Sequence, residues 1–263
     1  SCLLERKCMM KNMFQGIILS LQFLTRFPLP FACDISPQTL RWALRFFPFA
    51  GLVIGGFFVL IGWLLQPFLP ASLLVLLLLT AWVYATGGLH LDGVMDVADA
   101  IGSNAPLEKK YEIMKDSRVG SFAVIAIIFL LIWKAVLLYE LLSPLHTASW
   151  IGLLFIPILS RYQALLQLFF FQPIQNKGLA YEWRRHLTLL DVSVAFIWII
   201  AVALLYVPLL IMIPLQFFFS FGYGKWAMKH FKGINGDLVG TSIEGAELWN
   251  LLVLYILLSF VMG

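Results

Sequence analysis

Asp92, Asp96 and Asp99 stand at i, i+4 and i+7 in the stretch Thr86-Gly-Gly-Leu-His-Leu-Asp-Gly-Val-Met-Asp-Val-Ala-Asp-Ala100. Wound into a helix, that spacing puts all three carboxylates on one face. Like charges so placed repel unless a cation or a cationic ligand lies among them. His90 is the one imidazole in the stretch and no cysteine accompanies it, so the hard oxygen donors favour magnesium or manganese over zinc. Magnesium keeps several waters and bridges to substrate phosphates, which points to phosphoryl-type transfer. The plainer reading is a solvated acidic face on a loop helix. Gly87, Gly88 and Gly93 allow close backbone approach, although glycines at a membrane helix end also serve packing alone.

A second polar stretch reads Lys115-Asp-Ser-Arg-Val-Gly-Ser121. Lys115 and Arg118 can neutralise phosphate oxygens, Arg118 with a bidentate fork; a basic flank of a membrane span explains them equally well. Asp116 can be a helix cap, a salt-bridge partner or a further metal ligand. Arg161 lies in the middle of the apolar run 148–171, where a bare guanidinium costs about 2.5–3.5 kcal/mol on insertion scales, so it must face protein, water or an anion. Lys134, in another run, is read as pairing with Glu140 or snorkelling. The last polar loop, Gly233-Ile-Asn-Gly-Asp-Leu-Val-Gly-Thr-Ser-Ile-Glu-Gly-Ala-Glu247, resembles an anion nest at a helix start. Its Asp237, Glu244 and Glu247 are candidates to complete a metal site with the aspartate triplet. His146 and His186 have nothing catalytic beside them, and His230 sits in a basic run suited to lipid headgroups.

The elements that position these groups follow from composition. Of 263 residues, 61% are hydrophobic and 12% charged, against roughly 45–50% and about 25% for a soluble domain. This excludes a secreted domain, a soluble Rossmann enzyme and a disordered regulator. Apolar runs fall at 46–66, 71–89, 120–142, 148–171, 192–221 and 243–262. The fifth is too long for one span, and Pro208 near its middle predicts a hairpin of two short helices. Basic residues number six in 1–45, four in 90–119, three in 173–191 and three in 222–242, while the links 67–70 and 143–147 carry none. By the positive-inside rule the basic loops are cytoplasmic. The expectation is one all-α polytopic domain over 1–263, with an N-terminal segment 1–45, a bundle of about seven transmembrane helices over 46–263, and active-site loops 86–121 and 222–247 on the cytoplasmic side. Residues 14–25 are too short to span and predict a short interfacial helix. Cys2, Cys8 and Cys33 form no disulfide or zinc pattern. Met9, Met10 and Met13 are alternative initiators. The net charge of +4 is read as topology rather than nucleic-acid binding.

Together these stretches resemble the cobalamin synthase family, the adenosylcobinamide-GDP ribazoletransferases. The carriers are Phe23-Leu-Thr-Arg-Phe-Pro-Leu-Pro30, Phe46-Phe-Pro-Phe-Ala-Gly51 with Gly55, Gly88-Leu-His-Leu-Asp-Gly-Val-Met-Asp-Val-Ala-Asp99, Lys115-Asp-Ser-Arg-Val-Gly120 and Asn235-Gly-Asp-Leu-Val-Gly240. At 233–237 the chain departs from the family's more usual Gly-Gly-x-Thr-Gly-Asp loop. The resemblance implies a reaction of adenosylcobinamide-GDP with α-ribazole or its 5′-phosphate, giving adenosylcobalamin or its phosphate and GMP. It implies Mg2+ as cofactor on Asp92, Asp96, Asp99, Asp116 and Asp237. Arg118 and Arg161 would stabilise developing charge, and Asp92 or Asp96 would take the hydroxyl proton. Arg26, His90, Gly93, Lys115, Ser117, Asn235 and Gly236 would contact substrate. It implies an inner-membrane, lipid-embedded enzyme with its site facing the cytoplasm; monomer and homo-oligomer both stay open. Two rivals are weighed. A CDP-alcohol phosphotransferase requires D-x-x-D-G-x-x-A-R, which fails at Leu89 and at Asp96-Val97. A transporter would spread polar groups over several mid-membrane helices.

Overall fold

The computed structural model describes residues 2–143 and 147–262. The charge-free link at 143–147 therefore has its centre, His146 included, outside the described residues. Twelve α-helices occur among the described residues, and no β-strand. They are α1 Cys2–Leu24, α2 Pro37–Arg45, α3 Phe47–Leu65, α4 Ala71–Thr86, α5 Leu89–Gly102, α6 Leu107–Ile113, α7 Ser121–Leu142, α8 Thr147–Phe170, α9 Leu179–Arg184, α10 Leu189–Ala203, α11 Met212–Phe231 and α12 Gly236–Met262. The all-α membrane architecture expected from composition is present.

Five helices are long and apolar enough to cross a bilayer, namely α3, α7, α8, α12 and α11 with the 3-10 turn before it; a sixth crossing is counted if α4 and α5 are taken as one broken span. The expected count of seven needs α10 as well, which is apolar but only 15 residues long. The break near Pro208 is where the sequence predicts it, with a 3-10 turn over Val207–Ile211 separating α10 from α11. Phe196 of α10 and Phe217 of α11 lie 6.3 Å apart and both meet Tyr162. These rings, twelve residues before and nine after Pro208, meet across the turn.

The acidic helix is separate from the second span. Gly87 and Gly88 both adopt left-handed backbone, φ 64° and 69°, a region that costs residues with a β-carbon. Their amides close the last turn of α4 on the Tyr84 and Val83 carbonyls, and α5 leaves at 89° to α4. We read α5 as lying outside the spans, at the end of the bundle. The N-terminal helix is longer than the sequence predicts, starting at Cys2 rather than near residue 14. It ends where Arg26, Pro28 and Pro30 follow, and it packs against α2 at Gly16, where a β-carbon would sit 2.8 Å from the Ala43 amide.

Helix α8 is the central post, most of it buried. Gly51 and Gly55 let α3 lie against it backbone to backbone: a β-carbon at Gly51 would collide with the Pro157 carbonyl, and one at Gly55 would come within 2.7 Å of the Leu154 oxygen. The outward faces of α7 and α11 carry exposed Ile125, Phe129, Trp133 and Phe218, which suits lipid rather than water.

A charged network lies inside the bundle among the described residues. Lys134 of α7 reaches Glu244 at 2.6 Å and Glu247 at 2.5 Å, both on α12. Arg161 of α8 pairs with Glu247, and Trp82 of α4 donates to the same carboxylate at 3.1 Å. Two cations and two anions thus balance within one buried cluster joining four helices. Arg161 meets a carboxylate of its own chain, and Lys134 pairs across helices rather than with Glu140.

Candidate active site

The two predicted polar loops meet at one end of the bundle because α5 crosses the start of α12 at very short range. A β-carbon at Gly93 would stand 2.8 Å from the Asp237 carbonyl, and one at Gly240 would stand 3.4 Å from the His90 α-carbon. This crossing brings Asp92 and Asp96 beside Asp237. Gly93→Ala should therefore leave helical content unchanged by circular dichroism yet lower activity on the order of tenfold, since sub-ångström misplacement of reacting groups is costly. Full activity in that variant would show that the crossing does not set the site.

Four cavities with shared lining residues lie there. Asp92 lines three of them. The first, about 240 Å³, is polar, with Asp92, Asp96 and Asp99 on one wall and Lys115, Ser117 and Arg118 on the other. A second holds Arg26 beside Gly87, Gly88 and Asp92; the Arg26 amide donates to the Ala85 carbonyl at 2.7 Å, and its side chain lies where a β-carbon at Gly87 would go. A third, about 270 Å³, is largely apolar and includes His90, Asp92 and Asp237. The fourth, about 230 Å³, runs from Lys115 past Tyr111 and Lys177 to Asn235, Gly236 and Asp237.

The carboxylates play different parts. Burial, then the charges of Asp237, Asp92 and Asp99, push the Asp96 carboxyl up to about 7, the response of an acid crowded by like charges. Asp99 instead caps α7: its two oxygens accept from the Gly120 amide at 2.7 Å and the Ala123 amide at 2.9 Å. Asp116 is a salt-bridge partner. Its oxygens accept from Arg118 Nε and Nη2, and that guanidinium pulls its carboxyl down to about 2. Asn235 accepts the Leu238 amide at 2.9 Å as the cap of α12 and donates to Asp237 at 2.8 Å, so it orients that carboxylate.

Glu244 and Glu247 do not join the aspartates. They lie seven and ten residues along α12 from Asp237, about 10 and 15 Å at ~1.5 Å per residue, and are held by Lys134 and Arg161. Arg161 is wholly buried on Glu247 and Ser160, so it bears on the site through α12. Among the described residues, no group of three or more His, Cys, Asp or Glu side chains is placed to hold a metal ion by itself, so a cation bound by Asp92, Asp96 or Asp237 would draw the rest of its shell from water and phosphate oxygens. Such an open donor set suits magnesium.

Sequence reasoning missed the aromatic wall contributed by Trp183 and Phe47, and the part of Tyr111 and Lys177 in the fourth chamber. Trp183 sits on α9, six residues long, too short for a periodic pattern to single out.

Residues 16–255 match the family described as cobalamin-5-phosphate synthase. A protein of Halalkalibacterium halodurans called adenosylcobinamide-GDP ribazoletransferase is 36% identical over 252 residues, covering 91% of this chain and 95% of its own. One of a Geobacillus species with the same name is 32% identical over 271 residues, covering 96% and 100%. One of Clostridioides difficile is 33% identical over 257 residues, covering 92% and 97%. No solved structure matches. With the aspartate helix, its crossing with α12 and this full-length similarity together, the chain belongs to the cobalamin-5-phosphate synthase family.

Proposed function

We propose that this protein transfers the adenosylcobinamide-phosphate group of adenosylcobinamide-GDP to α-ribazole or its 5′-phosphate, releasing GMP. The observation that carries the reading is the convergence on Asp92 of a chamber with facing acids and bases and a chamber with apolar walls. A diphosphate suits the first and a nucleoside the second. The ribose 3′-hydroxyl forms a bond to the phosphorus nearer cobinamide, the bond from that phosphorus to the bridging oxygen breaks, and GMP leaves with the bridging oxygen. The hydroxyl proton passes to Asp92 or Asp96. Lys115 and Arg118 neutralise the diphosphate from the opposite wall, while Asn235 keeps Asp237 turned to the cleft. Asp92, Asp96 and Asp237 would hold Mg2+, which supplies charge neutralisation on the phosphate oxygens. Arg26, His90, Gly93, Ser117 and Gly236 border the space the substrates fill. Asp99 bears on the site by fixing α7, and Asp116 by holding Arg118. The positive-inside bias of the basic loops supports a cleft that faces the cytoplasm, and an inner-membrane setting goes with that reading.

GMP release that requires both substrates tests the reading, and it also separates it from a lipid phosphotransferase and from a transporter. The Asp96 carboxyl supplies a finer check. With its carboxyl at about 7, a proton competes with the cation below neutrality, so the magnesium concentration for half-maximal activity should fall as pH rises from 6 to 8. Asp96→Asn should flatten that dependence. A magnesium requirement independent of pH in the wild type would remove Asp96 from the cation site.

A further inference from the structure

We infer that the apolar chamber between α1, α3, α8 and α9 is the seat of the acceptor nucleoside's base, with the Trp183 indole as its hydrogen-bond donor and His90 on its wall. The inference rests on the transfer reading above and adds which part of the cleft selects the acceptor. The chamber is walled by Phe23, Phe47 and Trp183, whose rings pack on one another at 5.2 to 6.0 Å, and by Ala164 and Leu168 of α8. An aromatic cage of this kind takes a flat, weakly hydrated ring. Two nitrogens on this wall, Trp183 Nε1 and His90 Nδ1, are buried and find no hydrogen-bond partner among the described residues, while the two side chains are 4% exposed each. Buried polar groups are usually paired; other side chains in the bundle also carry unpaired atoms, and these two are distinguished by lining one cavity. The indole nitrogen can only donate. A flat aromatic ring that offers one bare acceptor nitrogen to the Trp183 indole and no exocyclic polar groups to the aromatic walls complements this chamber. The benzimidazole-type base of a ribazole has that chemistry, whereas guanine, with its carbonyl and amino groups, would bury polar groups against aromatic carbon.

Position supports the assignment. Asp92 and Asp237 line the same chamber, so a base seated against Trp183 keeps its ribose beside the carboxylates that receive the hydroxyl proton. A ligand entering elsewhere in the cleft would leave the Trp183 donor unanswered.

The test uses the full chain in liposomes and separates the two substrates. Ala164→Phe fills the chamber, and Trp183→Phe keeps an aromatic ring while removing the donor. Both should raise KM for α-ribazole, at least about tenfold for Ala164→Phe and about fivefold for Trp183→Phe, with KM for adenosylcobinamide-GDP within twofold of wild type. A direct readout is quenching of intrinsic fluorescence by α-ribazole alone, which should shrink in Trp183→Phe. If Ala164→Phe does not fold, Trp183→Phe decides alone. An unchanged KM for α-ribazole in Trp183→Phe overturns the assignment, as does a rise confined to the GDP substrate. Absence of any GMP release by wild type would instead overturn the transfer reading itself, so the two failures are distinguishable.

Discussion

Asp92→Asn should lower GMP release by about a hundredfold, a loss of about 2.7 kcal/mol of transition-state stabilisation at 1.36 kcal/mol per tenfold. Asp92 is the residue on which three chambers meet, and the substitution keeps its shape while deleting the charge that faces Lys115 and Arg118. Asp96→Asn should cost at least about tenfold and shift the magnesium requirement. Asp99→Asn is expected to behave differently. Its oxygens serve the α7 amides, so the main loss is a helix cap of about 1 kcal/mol, read as a lower melting temperature with a smaller change in turnover. Activity assays across a magnesium titration, paired with thermal unfolding in detergent, separate these effects. Equal loss from all three variants at unchanged stability would mean that the aspartates act as one ligand set and that the division of labour is wrong.

The second large effect lies away from the chemistry. Glu247→Gln should destabilise the bundle by about 3–5 kcal/mol, the cost of leaving buried charge uncompensated. Glu247 answers Lys134 and Arg161 at once and accepts from Trp82. Its neutralisation leaves two cations facing Glu244 alone. Restoring the balance with Lys134→Met in the same chain should recover much of the loss, because each anion lost is then matched by a cation lost. Unfolding midpoints in detergent for the single and double variants check this. A single variant as stable as the parent would show that the network does not hold the four helices together.

The sequence carries the aspartate helix well, since a seven-residue span of acids in an apolar chain admits few other readings. It carries the break at Pro208 for a similar reason: the run 192–221 is too long for one span, and of its two prolines Pro208 is the one near the middle. The crossing of α5 and α12 is less legible. Gly93 and Gly240 announce close approach, yet nothing local says which helix comes near. For the same reason Lys134 and Arg161 stand out as buried cations while their partners, 110 and 86 residues away, do not. Asp99 looks equivalent to Asp92 by periodicity; only the position of α7 makes it a cap. The turn of 89° at Gly87 and Gly88 likewise needs their backbone angles, so an apolar run to residue 89 reads as a longer span than the helix that forms.

The most direct test of the account is a stoichiometric one. Purified protein in liposomes, given adenosylcobinamide-GDP, α-ribazole and Mg2+, should release one GMP for each adenosylcobalamin formed, and should do neither without α-ribazole or with excess chelator. GMP release that proceeds without the nucleoside, or transfer that persists in chelator, would contradict the assignment of the Asp92, Asp96 and Asp237 cleft as a cation-dependent transferase site.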